Sequence, residues 1–110
     1  MGLFSFLRRK KESEKQEIKT ANRVMFEQIH EVKDTHLTKL ATNIINGDPL
    51  IINLESVPVD DANKAIAFLS GVIYAIEGEI LTISEKIILF GNSNLYEDGS
   101  MQELLDEINK

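Results

Sequence analysis

The chain contains no cysteine. Disulfides, thiol nucleophiles and thiolate metal sites are excluded, and the absence suits a reducing compartment. Long apolar runs are missing too. The longest uncharged apolar stretch, Ala65 to Ile76, falls short of the ~20 residues a membrane-spanning helix needs. No secretory signal opens the chain, because the positive charges follow the first apolar residues instead of preceding them. The myristoylation pattern wants Ser or Thr at position 6, and Phe6 stands there. These absences lead to the expectation of a protein that stays in the cytoplasm.

Catalytic constellations are also lacking. His30 and His36 have no second ligand pair at metal spacing and read as ordinary polar surface. Asp60 and Asp61 read as the acidic first turn of a helix, complementing its dipole, and not as an acid pair. Gly71, Gly78, Gly91 and Gly99 follow neither GxGxxG nor Walker spacing. The expectation is a protein that is not an enzyme, with no catalytic residues, no metal and no cofactor.

What is present is an asymmetry of charge. Residues 1–23 hold seven Lys/Arg against three Glu, a net +4. The remainder holds five Lys against fifteen Asp/Glu, a net −10. A basic arm on an acidic body points to an anionic surface met by the arm alone. The chain divides accordingly into an apolar and basic tip (1–11), a polar tether (12–22) and one folded domain (23–110). The tether, with Ile18 its only large apolar residue, has no face to bury.

The folded part alternates strand and helix signals. Arg23 to Ile29 reads as a strand. Asp34, as N-cap, opens a helix with Leu37, Leu40, Ala41, Ile44 and Ile45 on one face, stopped by Gly47 and Pro49. Leu50 to Leu54 is a continuous apolar run, as a strand covered on both faces requires. Pro58, Asp60 and Asp61 open a second helix that runs to about Glu77 and ends at Gly78. Strands over 79–84 and 86–90 follow as a hairpin turning near Ser84 and Glu85. Ser100 and Glu103 match a capping box before Met101, Leu104, Leu105 and Ile108. The expected fold is α/β: a two-layer sandwich in the order β-α-β-α-β-β plus a C-terminal helix, with a small mixed sheet and two helices on one face.

Two surfaces look functional. In the tip, Leu3, Phe4, Phe6 and Leu7 spread over nearly half of a helix circumference and are followed by Arg8, Arg9, Lys10 and Lys11, the pattern of a short in-plane membrane helix. Each buried Leu or Phe contributes roughly 1.5–3 kcal/mol. Each cation beside anionic lipid adds about 1 kcal/mol. Ordering costs about 1–2 kcal/mol per residue. The balance is marginal for one copy, so stable attachment needs several linked tips. Four charges on an acidic chain make a nucleic-acid partner the weaker reading, and none is expected.

In the second helix, Ala62, Ala65, Ile66, Leu69, Val72, Ile73 and Ile76 form one stripe for the sheet, while Phe68, Gly71 and Ala75 lie beyond it. No charge occurs at any angle between Ala65 and Ile76. A surface helix should have a polar back. Gly71 costs about 1 kcal/mol relative to Ala inside a helix, a cost that makes sense where another backbone approaches. The expectation is a two-fold homodimer on this face; the alternative is that the last helix or the tip covers it within one chain.

The run Pro49 to Glu55, with its NLE, and the helix end Phe68-Leu69-Ser70-Gly71-Val72-Ile73-Tyr74-Ala75-Ile76-Glu77-Gly78 resemble the SepF family of bacterial and some archaeal cell-division proteins. The likeness covers roughly residues 22–92 and includes the amphipathic tip. It implies a peripheral protein on the inner face of the cell membrane at the division site. Its core would dimerise, assemble further and bind the C-terminal tail of FtsZ, the tubulin-like division protein, in a pocket shared by two subunits. It also implies that Gly71 lies at a helix-to-helix contact and that Thr82 and Ile88 belong to the tail pocket. Thr82 stands where some members have Lys, and Ile88 where they have Phe. The tether is shorter than the family's usual one. The competing reading is a regulatory phospho-switch of the STAS type found in sulfate transporters and anti-sigma antagonists. That type places its phosphorylated turn at a helix start, whereas Ser70 and Gly71 here lie deep within a helix.

Overall fold

The computed structural model describes residues 18–109. A 3-10 turn (Thr20–Arg23) leads into β1 (Met25–Gln28), followed by α1 (Asp34–Ile45), β2 (Leu50–Asn53), α2 (Val59–Ala75), β3 (Glu79–Ser84), β4 (Ile87–Gly91) and α3 (Ser100–Ile108). The sheet order is β1-β2-β4-β3. β1 runs parallel to β2, and β4 is antiparallel to both β2 and β3. The α/β fold, its element order and its mixed sheet with two helices on one face are as the sequence leads one to expect.

Helix spacing sets what α1 and α2 bury. Leu37, Leu40, Ala41 and Ile44 of α1 and Ala62, Ala65, Leu69 and Ile73 of α2 are buried, each set repeating at three- and four-residue intervals. They close over Leu50, Ile52, Ile88 and Phe90, which point to the same side of the sheet. The hairpin is irregular. Thr82 pairs with Ile88 and Ser84 with Ile87, so Ile83 is an extra residue that bulges out of the ladder.

Three local expectations need correction. Asp34 is the first residue of α1 and not its cap; Lys33 takes the cap position and makes no side-chain cap bond. Asp34 still serves the helix through its charge at the positive end of the dipole. The left-handed residue that terminates α2 is Glu77 (φ 54°), not Gly78. Glu77 N–H donates to the Tyr74 carbonyl and Gly78 N–H to the Ile73 carbonyl, a Schellman ending. Gly78 is needed for another reason: a β-carbon there would collide with the Gly91 carbonyl oxygen.

The third correction concerns α3. Its apolar stripe docks on the sheet face opposite α1 and α2, where Met101 and Leu105 join Leu95 over Ile51 and Leu89, with Ala21, Val24 and Leu104 packed against them. The capping box does not form. Gly99 (φ 79°) is the cap, and the Ser100 hydroxyl donates to Asp98 Oδ1 at 2.6 Å. Asp98 Oδ1 also accepts from Ser100 N–H (3.0 Å), while Oδ2 accepts from Thr20 N–H (2.9 Å) and the Thr20 hydroxyl (3.0 Å). Ser100 Oγ in turn accepts from Ala21 N–H at 3.0 Å. Thr20 to Asn22, counted with the tether on sequence, thus belong to the folded unit.

The hydrogen bonds from the Ser100 hydroxyl, then Thr20 N–H and Ser100 N–H, hold the Asp98 carboxyl well below the usual carboxylate range against a smaller opposing effect of burial. A carboxyl depressed on folding stabilises the native state above its unfolded pKa, and that contribution is lost as pH falls toward the folded value. The thermal midpoint of the wild-type chain should therefore drop more steeply than that of Asp98→Asn as pH is lowered below about 4. A gap between the two that stays constant with pH would mean that the carboxylate charge contributes nothing.

Candidate functional site

Among the described residues nothing covers the outer face of α2. Across Ala65 to Ile76 the exposed positions are Ala67, Phe68, Gly71, Tyr74 and Ala75, none charged. Phe68 is 41% and Tyr74 87% exposed. Among the described residues a β-carbon added at Gly71 would meet nothing within 4 Å. Packing within the chain therefore does not demand a glycine there. The three residues expected at a dimer contact, Phe68, Gly71 and Ala75, are all exposed on this helix. Among the described residues no other element covers them, since α3 lies across the sheet on the other side.

Two hollows flank this face. One, of about 330 Å³, is lined by Asp34, Leu37, Thr38, Lys64 and Phe68, with Lys64 Nζ 3.8 Å from Asp34 Oδ1 at its rim. The other, of about 470 Å³, runs between the C-terminal half of α2 and β3, lined by Ser70, Ile73, Tyr74, Glu77, Gly78 and Ile80. Ile80 is 44% exposed. It shares its sheet face with Thr82, two residues along the same edge strand.

The two residues assigned to tail binding are cross-strand partners with opposite accessibility. Thr82 is exposed on the edge strand β3, whereas Ile88 on β4 is only 5% exposed and lies beneath the helices. Of the two, only Thr82 is open to a molecule arriving from solvent. Sequence reasoning missed Tyr74 and Ile80. The available signals were an aromatic on the outer angle of an uncharged helix and an apolar residue opening an edge strand.

The tip residues Leu3, Phe4, Phe6, Leu7, Arg8, Arg9, Lys10 and Lys11 lie outside the described residues. No helix among the described residues is long and apolar enough to cross a membrane. His36 Nε2 lies 3.6 Å from Glu27 Oε1, and His30 is exposed. Among the described residues no cluster of three or more His, Asp or Glu is placed to hold a metal. Burial, and then the nearby Glu79 carboxylate, push the Tyr96 phenol above its ordinary value, so it stays neutral beside the start of β3.

The family model for cell division protein SepF matches residues 24–95, which run from the start of β1 past the end of β4 and take in the open face of α2. The chain belongs to the SepF family. Cell division protein SepF of Lacticaseibacillus casei is 32% identical over 68 residues, covering 62% of this chain and 45% of that protein. The Listeria monocytogenes protein of the same name is 38% identical over 60 residues, covering 54% of this chain and 40% of its own length. That of Alkaliphilus oremlandii is 38% identical over 66 residues, with 60% and 45% covered. The chain thus spans less than half the length of the curated relatives it matches. SepF proteins are named for a role in cell division, not for a reaction. The turn Thr20–Arg23, Asp98 and α3 of this SepF-family chain lie outside the matched range.

Proposed function

We infer that this chain is a membrane-tethering adaptor of the division ring. In this reading the tip, residues 1–11, rests on the inner face of the cell membrane as an in-plane helix and residues 12 to 19 act as its tether. The domain pairs with a second copy through Phe68, Gly71 and Ala75. The groove between α2 and β3, reaching to Thr82, receives the C-terminal tail of FtsZ. Membership of a cell-division family supports the setting. The observation that carries the reading is the α2 face, a helix back with no charge from Ala65 to Ile76 and with Phe68 and Tyr74 exposed. Solvated helices keep a polar back, and an uncovered apolar one marks an interaction surface.

The groove suits a short extended peptide. β3 is an edge strand with free backbone groups for strand addition, and Tyr74, Ile73 and Ile80 offer apolar contacts beside it. An interaction this small should be weak per site and gain strength from assembly. A peptide copied from the host's FtsZ C-terminus, titrated against the full chain, should bind in the micromolar range, near −8 kcal/mol. Tyr74→Ala and Thr82→Asp should weaken it, while Phe26→Ala on the far edge strand should not. Absence of saturable binding removes the adaptor reading. Binding that is insensitive to Tyr74 and Thr82 moves the tail to another surface.

A further inference from the structure

We propose that the Thr20–Asp98–Ser100 clasp joins the lead-in to β1 and the C-terminal helix α3 into one latch over the second face of the sheet, so that the two segments open and close together. The inference comes from where the hydrogen bonds run. Three of the five in the clasp cross between residues 20–21 and 98–100: Thr20 N–H and the Thr20 hydroxyl to Asp98 Oδ2, and Ala21 N–H to Ser100 Oγ. Thr20 and Ser100 are each 6% exposed. If either segment leaves, the other is left with buried polar groups that have lost their partners.

Packing ties the same two segments. Ala21 and Val24 from the lead-in lie against the cluster of Leu95, Met101 and Leu105 that covers Ile51 and Leu89. α3 has nine residues, below the ~12–15 that an isolated helix needs to be even marginally stable in water. It depends on this docking and on the Asp98 carboxylate that accepts the Ser100 N–H of its first turn. The clasp and the cluster under α3 share no residue with the core between α1, α2 and the sheet, although Arg23 of the lead-in lies beside Gly47 just after α1, so the latch can open while that core stays closed.

Opening would have two consequences at once. Ile51 (7% exposed) and Leu89 (0%) would be uncovered beside Phe26, which is already 66% exposed. Thr20 to Val24 would also be released, lengthening the segment ahead of β1 by about 3.3 Å per residue. A pull on the N-terminal side reaches the fold first at Thr20. Only the source of such a pull rests on the membrane reading. The coupling itself stands on the clasp, and a chain indifferent to vesicles would leave it intact.

Amide hydrogen exchange on the full chain tests it. Asp98→Asn turns one carboxylate oxygen into an amide that faces donors. It should speed exchange of the amides of residues 20–22 and of 103–109 together, by similar factors of about tenfold or more, with α1, α2 and the strands unchanged. Thr20→Val removes one bond from the opposite side and should give the same joint pattern at smaller amplitude. Faster exchange in only one segment, in either variant, overturns the coupling. So does an equal loss of protection across the whole domain, which would make the clasp part of the global fold, or no change at all.

Discussion

The wild-type chain is expected to sediment with anionic vesicles, and the double substitution Phe4→Glu with Phe6→Glu is expected to leave it in the supernatant. Two of the tip's four large apolar side chains are lost, each worth roughly 1.5–3 kcal/mol when buried. Two carboxylates are placed against a negative surface at the same time, where every basic residue had been gaining about 1 kcal/mol. A loss of 3 kcal/mol alone lowers partitioning by about two orders of magnitude. The tip has nothing in reserve, since ordering it costs about 1–2 kcal/mol per residue. Equal sedimentation of both proteins would remove the membrane attachment. Loss of sedimentation in high salt, with the phenylalanines intact, would show Arg8, Arg9, Lys10 and Lys11 carrying their share.

The thin margin of the tip makes the two surfaces interdependent. In the proposed reading, a second tip on the same dimer would bind at an effective concentration set by the tether, in the millimolar range for short flexible links. Vesicle affinity and pairing through α2 should therefore rise and fall together, although the residues concerned lie far apart in the sequence. A monomeric variant with an intact tip would then bind lipid more weakly than the wild-type chain.

How far these surfaces could be read in advance depends on what sort of rule wrote them. The buried stripe of α2 was legible because Ala62, Ala65, Leu69 and Ile73 repeat at helical spacing, and its uncharged back stood out against that same period. For α3 the stripe of Met101, Leu104 and Leu105 shows that a face is buried, not what it is buried against; the docking on the second sheet face depends on Leu95, Ala21 and Val24, distant in sequence. Ser100 matched a capping box three residues before Glu103, yet Gly99 takes the cap position, Glu103 N–H donates to the Gly99 carbonyl, and the Ser100 hydroxyl donates to the Asp98 carboxylate behind it. Ile88 was assigned to a binding pocket by likeness alone; strand alternation and pairing add that it faces Phe90's side of the sheet, under the helices. The Thr20–Asp98 contact spans 78 residues and leaves no local signature at all.

Gly71→Lys is the substitution with the largest expected effect on assembly. In sedimentation velocity the wild-type chain should run as a dimer and the variant as a monomer. Open space around Gly71 makes the test clean: among the described residues a β-carbon there meets nothing within 4 Å. Lys is also a better helix former than Gly by about 0.5–1 kcal/mol. The monomer should keep its helical circular dichroism, so dissociation cannot be blamed on unfolding. In a two-fold contact the same position from both copies lies near the axis, and two like charges would be desolvated together beside Phe68 and Ala75. The cost, several kcal/mol per buried ion before repulsion is counted, exceeds what a face of this size gains. Thr35→Lys, an equal charge at an exposed position on α1, should leave the dimer intact. A wild-type chain that already runs as a monomer, or a Gly71→Lys variant that still runs as a dimer, would mean that the apolar back of α2 is not where two copies meet, and the paired tips that the proposed membrane attachment calls for would need another origin.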